Sequence, residues 1–395
     1  MANIVSKSHS SKSLNVERAV RNRYSQAAQE TEPDLCCPVE YDGKYLEVIP
    51  AEIIQRDYGC GDPSKYLKPG EVVLDLGSGG GKICYIAAQI IGPAGKVYGV
   101  DCNDEMLSLA QKYRKLISER LGYENVEFRR GRIQDLQLDL TLLDNYLAEN
   151  PVETSADWLR LEEHTRQLRE TSPLIPDDSI DVIVSNCVLN LVRTEDRSQI
   201  FEEMFRVLRR GGRVVVSDIV SDEDVPSHLQ HDARFRSGCI SGAFREDRLL
   251  EAFEEAGFYG IEMVARQAEP WAVVEGIEFH SATVRAFKGK QGPYLERKQA
   301  VIYNGPWKAV IDDDGHKLLR GKRMAVCDKT FSIYTREPYA DQITPIPPTE
   351  SIPLDQAPPF DCHGIAVRSP RETKGDAHAL AILPQSNCCG PQGCC

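Results

Sequence analysis

Between residues 72 and 219, short apolar runs alternate with helical segments, and this alternation constrains the fold more than any other feature of the chain. VVLDL (72–76), KVYGVD (96–101), NVEFRRG (125–131), SIDVIVSN (179–186) and RVVVSDI (213–219) read as strands, rich in β-branched and aliphatic residues. KICYIAAQII (82–91), DEMLSLAQKYRKLISERL (104–121) and RSQIFEEMFRVLRRGG (197–212) read as helices between them. Each strand–helix–strand unit lays its helix on one face of a parallel sheet, and several units together cover both faces. The predicted fold class is α/β, built on a doubly wound sheet.

The rest of the chain is organised around that core. Residues 137–172 interrupt the alternation with a leucine-spaced, acidic stretch that reads as two amphipathic helices joined at Asn150-Pro151. From 223 to 340 the texture changes to a mixed one, with helix-like REDRLLEAFEEAGF and strand-like FHSATVRAFK and QAVIYNG, expected to form a C-terminal α+β domain. Residues 341–395 carry six prolines between 345 and 359 and end in NCCGPQGCC, which reads as a disordered tail. An N-terminal extension (1–35) and a core domain (36–222) complete the expected division.

Composition narrows the function. No run approaches the ~20 apolar residues of a membrane-spanning helix. With 47 Lys+Arg against 60 Asp+Glu, the net charge of −13 disfavours sequence-independent binding to nucleic acid. The first residues, MANIVSKSHSSKSLNVERAV, contain no apolar core of the length a secretory signal needs, so a cytoplasmic location is expected, and the chain is separately expected to be a monomer. There thiols stay reduced, and 13 cysteines read as packing residues, soft-metal ligands or redox participants rather than a disulfide scaffold.

The loop after the first strand runs Asp75-Leu76-Gly77-Ser78-Gly79-Gly80-Gly81-Lys82. A phosphate-binding P-loop fails here, because Leu76 and Ile83 stand where a glycine and a hydroxyl are needed. A dinucleotide fingerprint fails at Lys82, where the third glycine belongs. What remains, D-x-G-x-G-x-G, resembles the first motif of class I S-adenosylmethionine methyltransferases, which have a Rossmann-like sheet. Asp75 then stands near the cofactor's cationic amino-acid end, and Asp101, ending the second strand, is placed to bind a ribose diol.

Several cysteines occupy loops that such a fold gathers at the carboxyl edge of its sheet. Cys187 follows the fourth strand, Cys60 lies between glycines upstream of the first, Cys239 follows the last core strand, and Cys36-Cys37 form a vicinal pair. Cys84 and Cys102 read as packing residues, and Cys327 and Cys362 have no local context. The runs DYGCG, VLDLGSGGGKICY, VSNCVLNLV, FRVLRRGG, SGCISGA, FHSATVRAFK and QAVIYNG, with the cysteine-rich tail, resemble the arsenite S-adenosylmethionine methyltransferases over about 36–335.

That resemblance implies methylation of arsenite and methylarsenite, with arsenic(III) held by Cys60, Cys187 and Cys239. Its lone pair attacks the sulfonium methyl, and a disulfide among upstream cysteines, involving Cys36 or Cys37, resets the redox state with thioredoxin or glutathione as thiol reductant. It also implies cofactor contacts at Tyr58, Asp75, Gly77, Ser78, Gly79, Asp101, Met106, Ile133 and Gln134. Two departures stand out: the length of the 137–172 insertion, and the vicinal pair, which leaves open which of Cys36 and Cys37 takes the redox role. Two other functions compete. One is a methyltransferase of a small organic substrate using His228, His231 or Tyr41 as acid or base; the other is a non-enzymatic thiol metalloid-binding protein.

Overall fold

The five predicted strands form and lie parallel: β1 (Val72–Leu76), β2 (Lys96–Asp101), β3 (Val126–Arg130), β4 (Ile180–Asn186) and β5 (Leu208–Ser221). The computed structural model describes residues 16–30, 39–230, 239–362 and 366–375. Its principal helices up to the end of the first compact unit are α1 (Val16–Ala27), α2 (Lys82–Ile91), α3 (Asp104–Lys112), α4 (Arg114–Leu121), α5 (Leu140–Glu149), α6 (Ser155–Thr171), α7 (Arg197–Val207) and α8 (Glu246–Glu255). No helix among the described residues is long and apolar enough to cross a membrane.

Strand alternation sorts the core onto two faces. Leu74 and Leu76 pack with Phe201, Met204 and Phe253 on one face, while Val73, Val182 and Val184 pack with Ile83 and Ile86 of α2 on the other. From β1 the chain builds outward through β2 and β3, then returns to the opposite side of β1 with β4. That reversal of strand order opens a crevice over the carboxyl ends of β1 and β4, where ligands bind in open α/β sheets.

Two helix boundaries differ from the sequence expectation. The predicted 104–121 helix breaks at Tyr113 into α3 and α4. The predicted 197–212 helix stops at Val207, and its last residues, Leu208 onward, already belong to β5. Gly211 takes φ +86° there, and its N–H donates to the Lys288 carbonyl at 2.7 Å. Long-range pairing thus overrides a locally helical composition.

The domain boundary also moves. The chain divides into compact units at Gly289 and Lys290, not after residue 222. Four strands beyond 222 belong to the first unit: β6 (Phe244–Arg245), β7 (Tyr259–Arg266), β8 (Ala272–Val274) and β9 (Ile277–Phe287). β9 pairs antiparallel with β5 from Arg213↔Phe287 to Ser221↔Phe279, extending the sheet to the order β3-β2-β1-β4-β5-β9-β7.

The second unit contains β10 (Ala300–Tyr303), β11 (Ala309–Ile311), β12 (Lys317–Leu319), β13 (Arg323–Ala325), α9 (Asp328–Tyr334) and β14 (Ile343–Ile346). β13-β10-β14 form a small sheet over a core of Val301, Tyr303, Met324, Tyr334 and Ile343. Ordered structure therefore continues past 341, where a tail was expected: Pro345 sits in the edge strand β14, the one place a strand tolerates it, and Pro370–Lys374 is helical. Cys388, Cys389, Cys394 and Cys395 lie outside the described residues.

The 137–172 stretch forms two helices, as expected. Asn150 ends α5, and α6 is started by a capping box between Thr154 and Asp157 rather than by Pro151.

Candidate active site

β1 ends at Leu76, and the chain turns at once to bring α2 back over the sheet. The Gly77 and Ser78 amides donate to the Val100 carbonyl at 2.8 and 3.0 Å, tying the loop to β2. Gly79 takes φ +50° with open space where a Cβ would stand, so its backbone faces the crevice uncovered. Its amide donates to one Asp101 carboxylate oxygen at 2.9 Å, and the Asn103 amide donates to the other at 2.8 Å. Burial nevertheless raises the Asp101 carboxyl above its ordinary range.

Over these strand ends lies a cavity of about 480 Å³, lined by Tyr58, Asp75, Gly77, Ser78, Gly79, Asp101, Met106, Ile133 and Gln134, all nine of the residues picked out as cofactor contacts. α1 adds Val20, Arg21 and Tyr24, and α5 adds Leu140, so the insertion reaches the cavity wall with its first helical residue.

Asp75 is 2% exposed. Burial first, and then the nearby charges of Asp101 and Asp57, push its carboxyl up to about 7 against an opposing hydrogen bond from the Cys84 thiol. Ser78 Oγ is buried without a hydrogen-bond partner among the described residues. A buried acid whose ionisation a cation would favour, an unmatched hydroxyl and an acid at the end of β2 fit a ligand with a cationic end and a diol.

A cysteine cluster meets the cavity at Cys187. Cys187, which follows β4, lines it, and Cys60, Cys187 and Cys239 pack in one buried cluster with Leu191, Ile219 and Phe279. The structure thus gathers three cysteines that sequence placed in separate loops. Asn186 does much of this. Its Oδ1 accepts from the Cys60 and Gly61 amides at 2.9 and 3.1 Å, and its Nδ2 donates to the Gly61 carbonyl at 2.7 Å. The Ser281 hydroxyl donates to the Cys60 carbonyl at 2.6 Å from β9.

Cys187 and Cys239 both take left-handed backbone conformations, φ 59° and 66°. Each such placement of a non-glycine residue costs on the order of 1–3 kcal/mol, a strain that collects at functional sites. The Cys239 thiol donates to the Cys187 carbonyl at 3.6 Å.

Three expectations need correction or restriction. Cys60 and Cys187 were expected as separate thiols in the arsenic set, but they are joined by a disulfide across 127 residues, while Cys239 keeps its thiol. The redox disulfide was placed among the upstream cysteines, whereas the Asn186 clamp holds Cys60 against Cys187. Cys36, Cys37 and His231 lie outside the described residues.

His228 pairs with Glu275 at an exposed position, and the Tyr41 hydroxyl donates to the Gly61 carbonyl; neither lines the cavity. Asn186 and Asp218 escaped the sequence reading. Asp218, 1% exposed near the end of β5, accepts from the Leu189 amide and the Asn190 side chain. Its carboxylate and the Cys60 and Cys187 sulfurs lie within 4.8 Å of one another, and burial pushes its carboxyl up to about 6. The strand-end rule that found Asp75 and Asp101 could have found it.

An arsenite methyltransferase from Aquipseudomonas alcaligenes is 30% identical over 337 residues, covering 80% of this chain and 86% of that one. The chain belongs to the arsenite methyltransferase family. It is an S-adenosylmethionine-dependent methyltransferase. The mouse arsenite methyltransferase is 27% identical over 367 residues, covering 90% of this chain and 87% of that one.

A methyltransferase-domain family model matches residues 67–172 and 164–257. A second, described as a domain of unknown function (DUF8838), matches 290–378, within the second unit. The fold is shared with an arsenic(III) S-adenosylmethionine methyltransferase from Chlamydomonas reinhardtii, at TM-score 0.53 and 24% identity, covering 84% of this chain and all of that one.

In this member of the arsenite methyltransferase family, the glycine before Cys60 is a packing requirement. A Cβ at Gly59 would stand 2.2 Å from Asn186 Nδ2, whereas one at Gly43 would meet nothing within 4 Å. Gly59→Ala is expected to cost about 1–3 kcal/mol through the displaced clamp, read as a lower denaturation midpoint. Gly43→Ala should leave the midpoint in place.

Proposed function

We propose that this chain methylates trivalent arsenic, taking arsenite and methylarsenite as substrates. The observation that carries the reading is the packing of Cys60 and Cys239 with Cys187, which lines the cavity together with the glycine loop and Asp101. Trivalent arsenic prefers soft thiolate ligands, and once the Cys60–Cys187 disulfide is reduced three sulfurs can hold it while leaving its lone pair exposed. S-adenosylmethionine, when bound, supplies an electrophilic sulfonium methyl to that lone pair. Asp75 would hold the cationic amino-acid end, Asp101 the ribose diol, and Tyr58, Met106, Ile133 and Gln134 the remaining walls.

Attack by the arsenic lone pair needs no proton removed from the acceptor, so a general base is unnecessary. That agrees with the absence of Tyr41 and His228 from the cavity lining. Each methylation leaves arsenic formally two electrons more oxidised. Two thiols joining as a disulfide return those electrons and release two protons, and a thioredoxin or glutathione thiol then reopens the bond by exchange. The Cys60–Cys187 disulfide supports a reset through that pair, and Cys36 or Cys37 would be the thiol that passes the disulfide on.

The test is incubation of the purified chain with arsenite, S-adenosylmethionine and either thioredoxin with its reductase or glutathione, with the arsenicals separated and quantified. Methylated and dimethylated arsenic are expected. Folded protein that binds the cofactor but makes neither would overturn the proposal.

A further inference from the structure

Cys327 and Cys362 have no context in the sequence and no part in the chemistry above, yet the second unit makes them neighbours. Cys327 follows β13 and caps α9: its sulfur accepts from the Thr330 amide at 3.4 Å and lies 3.1 Å from the Thr330 hydroxyl. Described residues before and after Cys362 are tied to the second unit. On one side Leu295 bridges to Pro359 and the Phe360 amide donates to the Tyr294 carbonyl at 2.9 Å. On the other the Ala325 amide donates to the Ala366 carbonyl at 2.8 Å, beside a bridge between Met324 and Val367.

Cys362 and Cys327 line one small cavity, and burial first, then the Cys327 sulfur nearby, raises the Cys362 thiol above its ordinary range. Neither cysteine belongs to a disulfide, and Cys327 is buried while Cys362 is partly exposed. Both border a cavity of about 20 Å³ shared with Met324, Phe360 and His316.

The donor set selects the ligand. A structural zinc needs about four ligands. The nearest imidazole, His316, is engaged with Asp312 at 2.9 Å, and its nearby acids are Asp312 and Asp314 rather than the two thiols. Two soft sulfurs beside the apolar side chains of Met324 and Phe360 suit a soft centre that needs only two thiolates and brings its own carbon substituent.

We propose that Cys327 and Cys362 form a second, dithiol site that binds mono-organyl trivalent arsenicals, R–As(OH)2. Two S–H and two As–O bonds break, two As–S bonds form and two waters leave, with no change in oxidation state. The choice of arsenic as the centre rests on the function proposed above; the site itself does not.

The full chain, reduced and then freed of reductant, is exposed to phenylarsine oxide and pulsed with iodoacetamide, and each cysteine is read by peptide mass spectrometry. At tenfold excess over the dissociation constant, alkylation of Cys327 and Cys362 should slow together by about tenfold, because only free thiols react. The protection should persist in a Cys60→Ser/Cys187→Ser/Cys239→Ser chain, which separates it from the methylation site. Cys362→Ser and Cys362→Ala, each melting like the parent, should both abolish protection of Cys327.

Independent alkylation of the two cysteines in the presence of the arsenical would overturn the proposal. So would protection that arises without arsenical and is reversed by reductant, since that marks a disulfide. A chain that protects this pair but makes no methylarsenicals would overturn the proposed function and leave the dithiol site standing.

Discussion

Cys187→Ser is expected to lower arsenite methylation by about a thousandfold or more, equivalent to ~4 kcal/mol of lost transition-state stabilisation, while S-adenosylmethionine affinity stays within about threefold. The asymmetry follows from position. Cys187 lines the cavity and packs with Cys60 and Cys239, whereas Asp75, the glycine loop and Asp101 line it from β1 and β2. A serine hydroxyl is a hard, protonated ligand that cannot replace a thiolate on arsenic, and it cannot form the bond to Cys60. Rates on arsenite and methylarsenite, together with cofactor binding by calorimetry, measure both halves. Full activity in the variant would show that Cys187 is not an arsenic ligand.

Asp75→Asn acts at the other wall and on the cofactor. At about pH 8 the substitution should weaken S-adenosylmethionine binding about 10- to 100-fold, the loss of one charge-assisted contact in a buried site. The pH profile separates this from simple damage. Burial holds the Asp75 carboxyl near 7 in the unliganded protein, and a cationic ligand favours its ionised form, so binding below that pH must expel a proton. Wild-type affinity should rise by up to about tenfold per pH unit toward 7 and level off above it.

Asp101, also raised by burial, contributes in the same direction, so the variant should show a shallower rise rather than a flat line. Stability of the unliganded protein runs the other way. A carboxyl raised in the fold contributes stability that is complete below its unfolded value of ~4 and is lost as pH rises through about 7. Relative to Asp75→Asn, the wild-type melting temperature should therefore fall across that window. A parallel pair of melting curves would show that Asp75 does not titrate there.

The alternation, the glycine loop and the strand-end acids were legible because each rests on a local signal. Val73 and Leu74 declare opposite faces by adjacency alone, and Gly77 and Gly79 mark a turn at the end of an apolar run. The joint between α7 and β5 was not legible, because Leu208–Gly212 is helix-like in composition and becomes strand by bonding to residues near Lys288. The unit boundary failed for the same reason: β9 reads as a strand, but nothing local says that it pairs with β5.

Among the site residues, the cofactor set was readable from spacing and resemblance. Asn186 was not, since its importance lies in bonds to Cys60 and Gly61 more than 120 residues away.

By itself the sequence determined the parallel sheet, its crevice and the kind of ligand the glycine loop can approach, because side-chain periodicity and backbone freedom act over a few residues. Only the tertiary structure decided which cysteines meet. It joined Cys60 to Cys187 with Asn186 bonded to the Cys60 amide, set Cys239 and Asp218 beside them, and brought Cys362 and Cys327 to one small cavity in the second unit. Sulfur chemistry depends on distances of a few ångströms between loops, and those distances are fixed by strand pairing across the whole chain rather than by any neighbour in sequence.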